Sequence, residues 1–318
     1  MFGFGTLFAL PEAPTSFDTY DGAVPGGRAL AMGYAYSTVG GDISSVFFNP
    51  AALSFVEESM FSMSYEVTRQ SDLDQPAIMQ PEQLRLRNLI FIGLSSDKGA
   101  FSWRPIANNV IRTTNGTDWT ETETKINAYT FTVTSKQEDD MYSGLNLTYL
   151  TGRIGQAKLE SSVPATNISD GNGVTMDLGT VFKPSDQIAL GLNMKNLCGF
   201  MWWDDYEKDL LPFTIISGIS FNISRFSTFS FDWEKRYYRK DSAEPEELTH
   251  LGIEQCLGNV LSFQFGIYGQ DLSKQKARTT AGVSYKQGNY LLSLAGEKYQ
   301  LLNTDVYRYI FSLNIPVK

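Results

Sequence analysis

No hydrophobic run in this chain approaches the roughly 18 residues of a membrane-spanning helix. Histidine occurs once, at His250, and cysteine twice, at Cys198 and Cys256. No Gly-x-Ser-x-Gly or His-Glu-x-x-His surrounds that histidine, so the machinery of a hydrolase or zinc protease is missing. We expect His250 to be a strand residue at the membrane interface, and the protein not to be an enzyme. The cysteines have neither metal-binding nor redox spacing. In the strand register below they fall at opposite strand ends, too far apart for a disulfide. No His, Cys, Asp or Glu group has metal-ligand spacing either, so no cofactor is expected. Basic residues are outnumbered, 26 Lys and Arg against 35 Asp and Glu, which argues against a nucleic-acid partner. The acidic Glu121, Glu123, Asp139 and Asp140 fall on connections, where a solvated face is expected.

What the chain does have is aromatic residues, 13% of 318, and alternation. Mean hydropathy is only −0.20, as expected where apolar and polar residues alternate along strands. Period-2 patterning predicts fourteen strands over 58–66, 86–95, 99–106, 125–135, 141–150, 172–182, 188–197, 212–221, 227–236, 247–256, 259–269, 278–286, 289–297 and 307–316. In 227–236, Phe229, Phe231 and Trp233 share one face while Ser230, Asp232 and Glu234 share the other. The connections alternate short and long. Short ones such as Leu257–Gly258 and Gln287–Gly288 carry turn residues. The longer, more polar ones are 67–85, 107–124, 151–171, 198–211, 237–246, 270–277 and 298–306. A bilayer leaves no backbone group unsatisfied, so a closed barrel is the only strand architecture that can span it. Short turns on one side and long loops on the other are how such barrels are built in bacterial outer membranes. The fold expected is therefore all-β, a 14-stranded antiparallel transmembrane barrel, in contact with outer-membrane lipids. Trp103, Trp202 and Trp203 are expected at the outer interface, and an exposed apolar patch around Phe200–Trp203 would mark a protein partner.

The first fifty residues fit no strand pattern and are rich in Gly and Ala. A barrel of this width cannot fill its interior with its own side chains, so a small N-terminal plug is expected. That divides the chain into a plug segment, 1–56, and a barrel, 57–318. Residues 1–16 contain an apolar stretch without a basic n-region. They read as an export-signal remnant, as a chain started late, or as a short buried segment. Arg28 and Asp42 flank the apolar part of the plug. Inside a barrel neither charge stays unpaired cheaply, so they are expected to pair with each other or with wall charges such as Asp232 or Glu234.

The stretch GGRALAMGYAYSTVGGDISSVFFNPAALS, residues 26–54, resembles the N-terminal hatch of the FadL superfamily and its PorV/PorQ-like relatives. LGTVFKPSDQIALGLNMKNLCG and THLGIEQCLGNVLSFQFGIYG resemble barrel hairpins of the same group. The resemblance implies a 14-stranded barrel with a hatch. It also implies one of two roles: passive uptake of long-chain fatty acids or other hydrophobic small molecules, or service to type IX secretion by docking cargo or translocon proteins. Asn49, Pro50 and Ala51 correspond to the Asn-Pro-Ala of the hatch. Gly99 and Pro105, in the third strand, are the candidate residues for the sideways wall opening known in the fatty-acid channels.

Overall fold

The computed structural model describes residues 24–56, 58–70, 89–96, 98–115, 117–137, 140–160, 163–238, 244–272, 277–301 and 304–317. The export-signal reading of 1–16, most of the first outer connection and Asp139 lie outside them. Sixteen strands follow in order: β1 Met60–Gln70, β2 Leu89–Ser96, β3 Gly99–Asn115, β4 Asp118–Lys136, β5 Met141–Glu160, β6 Val163–Ser185, β7 Ile188–Lys195, β8 Phe200–Trp203, β9 Asp209–Leu210, β10 Phe213–Ser224, β11 Ser227–Tyr237, β12 Glu246–Leu257, β13 Leu261–Gly269, β14 Arg278–Gln287, β15 Tyr290–Leu301 and β16 Thr304–Pro316. β8 and β9 form a small side hairpin. The other fourteen close into one antiparallel ring, as the alternation predicts. β1 and β16 complete it in unbroken register from Met60↔Pro316 to Gln70↔Val306.

Closure works because the strands are amphipathic in the sense opposite to a water-soluble protein. On β13, Gln264 is 0% exposed and its neighbour Phe265 is 57% exposed. On β11, Ser230 and Asp232 are buried, with the aromatic face of that strand turned out. The outward apolar belt suits lipid and the inward polar face suits a filled or wet lumen. At the short turns Gly258 and Gly288 have φ of +64° and +59°, a conformation that tight hairpins demand and a Cβ resists.

Several connections differ from expectation. Residues 107–124 and 151–171 are not loops but the outer ends of long hairpins. β3 and β4 pair as far as Asn115↔Asp118, and β5 and β6 as far as Glu160↔Val163. Their outer halves are rich in Thr, Asn and Glu. Beyond the lipid both faces are polar, so the period-2 hydrophobic signal fades while β-propensity remains. β3 likewise does not stop at 106. It passes through a bulge between Pro105 and Ala107 and continues.

In the outer stretch 198–211 the chain leaves β7, and β8 rejoins the wall beside β6, pairing Val174↔Phe200 to Gly171↔Trp203. Met201 and Trp203 turn inward and are buried against Ile106, Leu150 and Ile154, while Trp202 is 50% exposed on the outer face. The expected interfacial and partner-binding role of Phe200–Trp203 therefore divides. Trp203 is core, and only Trp202 fits the interface.

The N-terminal segment contains α1 (Gly27–Ala31), α2 (Ser45–Phe48) and a 3-10 turn (Pro50–Phe55). Both helices are too short to be stable alone. They are held by the wall, whose lumen-facing residue opposite the segment is repeatedly glycine. A Cβ on Gly93 of β2, Gly144 of β5, Gly179 of β6, Gly218 of β10 or Gly266 of β13 would run into Ile43, Pro50, Asn49, Ser37 or Gly33 respectively. These contacts come from around the ring, so the segment lies within it.

Candidate functional site

Above the segment is a cavity of about 180 Å³. Its apolar lining comes from Tyr34, Phe47 and Phe48 of the segment and from Phe91 and Ile106 of the wall. α2 carries Phe47 and Phe48 into this lining. Tyr34 lies near-parallel to Phe48 at 5.9 Å, and Phe47 meets Phe48 edge-on at 5.3 Å. Offset and edge-on contacts of this kind are the favoured aromatic arrangements.

The polar part of the lining is charged and hydrogen-bonded. Asp232 on β11 accepts three bonds from the segment: Tyr36 N–H at 2.9 Å, Ser37 N–H at 2.8 Å and Ser37 Oγ at 2.7 Å. Glu234 accepts from Arg236 Nε at 2.6 Å and faces His250 Nε2 at 3.4 Å. His250 Nδ1 lies 2.9 Å from the Gly33 carbonyl oxygen, and the ring stacks on Tyr268 at 5.6 Å. Both ring nitrogens thus face oxygens, one on the segment and one on the wall. The expected interfacial position for His250 is replaced by a buried, lumen-facing one. Arg308 on β16 donates to Tyr34 Oη at 2.7 Å and pairs with Glu297 at 3.0 Å. Two cations approach Phe47: the Arg104 guanidinium carbon at 4.3 Å from the ring centroid and Lys195 Nζ at 3.6 Å.

Below the segment a second cavity of about 640 Å³ opens at the short-turn end. Arg28 and Glu254 lie on it. Of the expected alternatives for Arg28, Asp42 or a wall charge such as Asp232 or Glu234, the structure gives a wall charge, Glu254 of β12. Nε–Oε1 is 2.8 Å and Nη2–Oε2 is 2.6 Å, and Nη1 also donates to Tyr36 Oη and to the Gly40 carbonyl. Asp42 instead accepts from Tyr36 Oη and from the Ser44 hydroxyl and N–H. It shapes the turn into α2 rather than holding Arg28, because a short side chain with donors two residues away satisfies itself locally.

Asn49, Pro50 and Ala51 do not line the upper cavity. Asn49 caps the 3-10 turn by accepting from Ala51 N–H at 3.0 Å and donates to the Thr180 carbonyl of β6, with Pro50 at the first position of the turn. Gly99 sits in ladder register with Ser96 on one side and Val133 on the other. The wall is therefore paired on both sides at Gly99. Pro105 is different. Paired register between β2 and β3 ends at Ile92↔Trp103 among the described residues, and Pro105 lies just beyond, at the bulge. Arg104 and Ile106 flank it and line the cavity. Arg104, Lys195 and Glu254 were not singled out from the sequence. The signal available was their parity, a charge on the polar face of an amphipathic strand.

No family model and no curated protein matches this sequence. Solved structures do match its fold. A toluene transporter of Ralstonia pickettii, TbuX, aligns over 95% of this chain and 100% of its own at 11% identity, TM-score 0.64. The P. putida toluene transporter TodX aligns over 92% and 98% at 12% identity, TM-score 0.64. A FadL homologue of Pseudomonas aeruginosa aligns over 96% and 99% at 11% identity, TM-score 0.59. At such identities the likeness is one of fold: this chain is a closed 14-stranded antiparallel barrel folded like these transporters.

Proposed function

We propose that this protein is a passive outer-membrane conduit for hydrophobic small molecules, plugged by its N-terminal segment and emptied through the wall between β2 and β3. The observation that carries the reading is the aromatic-floored cavity, which ends against Phe91, Ser102, Arg104 and Ile106 where the β2–β3 pairing stops. The toluene transport named for the barrels of like fold supports it. So does the packing below: Ala29, Leu30, Met32 and Tyr36 are fully buried, so a ligand moving straight down the axis would have to unpack a core. Leaving sideways into lipid keeps an apolar molecule out of water, at a gain of roughly 25 cal/mol per Å² of its surface. Pro105 contributes by lacking an N–H, which ends the demand for a partner at that point of the strand edge. Asn49, Pro50 and Ala51 anchor the plug to β6.

A cavity near 150 Å³ is enough for benzene, so the upper cavity favours compact molecules over long alkyl chains. The test is uptake of radiolabelled toluene and of oleate by cells carrying the barrel against cells carrying an empty vector. Faster toluene entry supports the conduit. Equal entry of both compounds, with a stoichiometric protein partner on the purified barrel, overturns it in favour of a secretion role.

A further inference from the structure

One row of the lumen wall carries hydroxyls on four successive strands. Ser102 of β3 pairs with Thr130 of β4, Thr130 with Thr148 of β5, and Thr148 with Thr175 of β6. All four line the upper cavity. Three of them are engaged with the protein. Thr130 and Thr148 share a hydrogen bond at 2.8 Å, and Thr175 donates to Asn196 Oδ1 at 2.9 Å. Ser102 is 5% exposed, and among the described residues its hydroxyl has no hydrogen-bond partner. On its other side the ladder places Gly93, which has no side chain to offer. A buried hydroxyl left unpaired has lost its water without compensation, which protein interiors seldom tolerate. Thr214 of β10 also lines the cavity with an unpartnered hydroxyl, but its ladder neighbours are the cations Lys195 and Arg236 instead of further hydroxyls.

We propose that Ser102 is a specificity-determining contact of the cavity, and that the guest it selects is a single aromatic ring bearing one neutral hydroxyl, a phenol. The inference rests on the conduit reading and names its substrate class. A serine hydroxyl both donates and accepts, as a phenolic hydroxyl does. The ring of the guest meets the aromatic side chains of Tyr34, Phe47 and Phe48 in the same lining, and the volume of about 180 Å³ fits one ring with a small polar group. Toluene has the shape of phenol with a methyl in place of the hydroxyl, so it fills the cavity and leaves Ser102 unpaired. A site that hydrogen-bonds a guest hydroxyl discriminates against the analogue lacking it more strongly than an apolar pocket discriminates by size. Ser102 stands one residue from Ile92↔Trp103, where the described β2–β3 pairing ends, so the contact is made beside the wall opening through which the guest leaves.

The experiment is equilibrium dialysis of radiolabelled phenol and toluene against the full chain in detergent, with protein-free detergent as the blank for partition into micelles. Ser102→Ala is expected to weaken phenol binding about tenfold while toluene binds as well as before or more tightly, and Ser102→Thr to retain phenol. Heat-modifiable migration in electrophoresis confirms that each variant is folded. A Ser102→Ala variant whose two affinities fall together, or whose phenol affinity does not change, overturns the inference. Toluene binding by the native chain without phenol binding overturns it and leaves the conduit standing, whereas binding of neither compound overturns the conduit as well.

Discussion

Arg28 of the N-terminal segment and Glu254 of β12, 226 residues apart in sequence, form a two-pronged ion pair at 2.8 and 2.6 Å. Its geometry is that of the strong, oriented guanidinium–carboxylate contacts. It fastens α1 to the wall at the short-turn end, and Gln264 adds a further bond to Glu254 at 2.8 Å.

Removing one partner of a buried pair leaves the other charge uncompensated, which costs about 3–5 kcal/mol. Arg28 keeps 17% side-chain exposure, so the lower end of that range is expected for Glu254→Ala. The double variant Arg28→Met, Glu254→Leu should recover most of the loss. Urea titration of the refolded barrel, followed by its electrophoretic shift, measures both. A double variant as unstable as the single one would contradict this account.

The glycines opposite the segment lead to a second expectation. A Cβ on Gly266 would run into the backbone of Met32 and Gly33, whereas one on Gly155 would meet nothing within 4 Å. Overpacking typically costs about 1–3 kcal/mol. Gly266→Ala should therefore lower the melting temperature and expose the segment to protease, and Gly155→Ala should do neither. Limited proteolysis of the two proteins side by side decides it.

Trp203 gives a local prediction. Its ring packs over Gly152 and Gly171 and, with Met201, holds the β8–β9 hairpin to the tall wall. Trp203→Ala should release the hairpin, with protease nicking within 204–208, and leave the ring of strands intact because that ring closes without it. A fall in the global melting transition equal to that of Gly266→Ala would show that the hairpin belongs to the barrel's cooperative unit.

Outside the bilayer, Arg153 on β5 bonds Asp170 on β6 at 2.6 Å and holds its carboxyl below the ordinary value. A depressed folded pKa means stabilisation that is present above the unfolded value of about 3.9 and lost as pH falls through the folded one. Both groups are more than half exposed, so solvent screens the pair and the effect on melting is small. Arg153→Gln should raise the Asp170 pKa toward its ordinary value in an NMR titration while hardly moving the melting temperature. An unshifted titration would mean that the pair does not form in solution.

How much of this was readable beforehand follows from what each signal depends on. Strand number, antiparallel order and the outward aromatic belt are set by alternation, which each strand of a lipid-facing wall carries in its own sequence. The pairs Phe229–Ser230 and Gln264–Phe265 display it in adjacent residues. A buried N-terminal segment was legible for a similar reason, since small and apolar residues without period fit neither a strand nor a solvated tail. The long outer hairpins were not legible, because alternation disappears where both faces meet water.

Pairing inside the lumen was decided only by the tertiary structure. Charge burial requires that Arg28 have a partner, but nothing local says which strand supplies it. Glu254 was selected over Asp42 by the position at which α1 lodges in the ring. The convergence of Arg104 and Lys195 on Phe47 joins three stretches of chain that no short-range pattern connects. Sequence by itself determined which face of each strand meets lipid, because that depends on neighbours one and two residues away. Which lumen charges meet was settled by closing the ring on the segment, since contacts between distant residues exist only once closure has fixed the register.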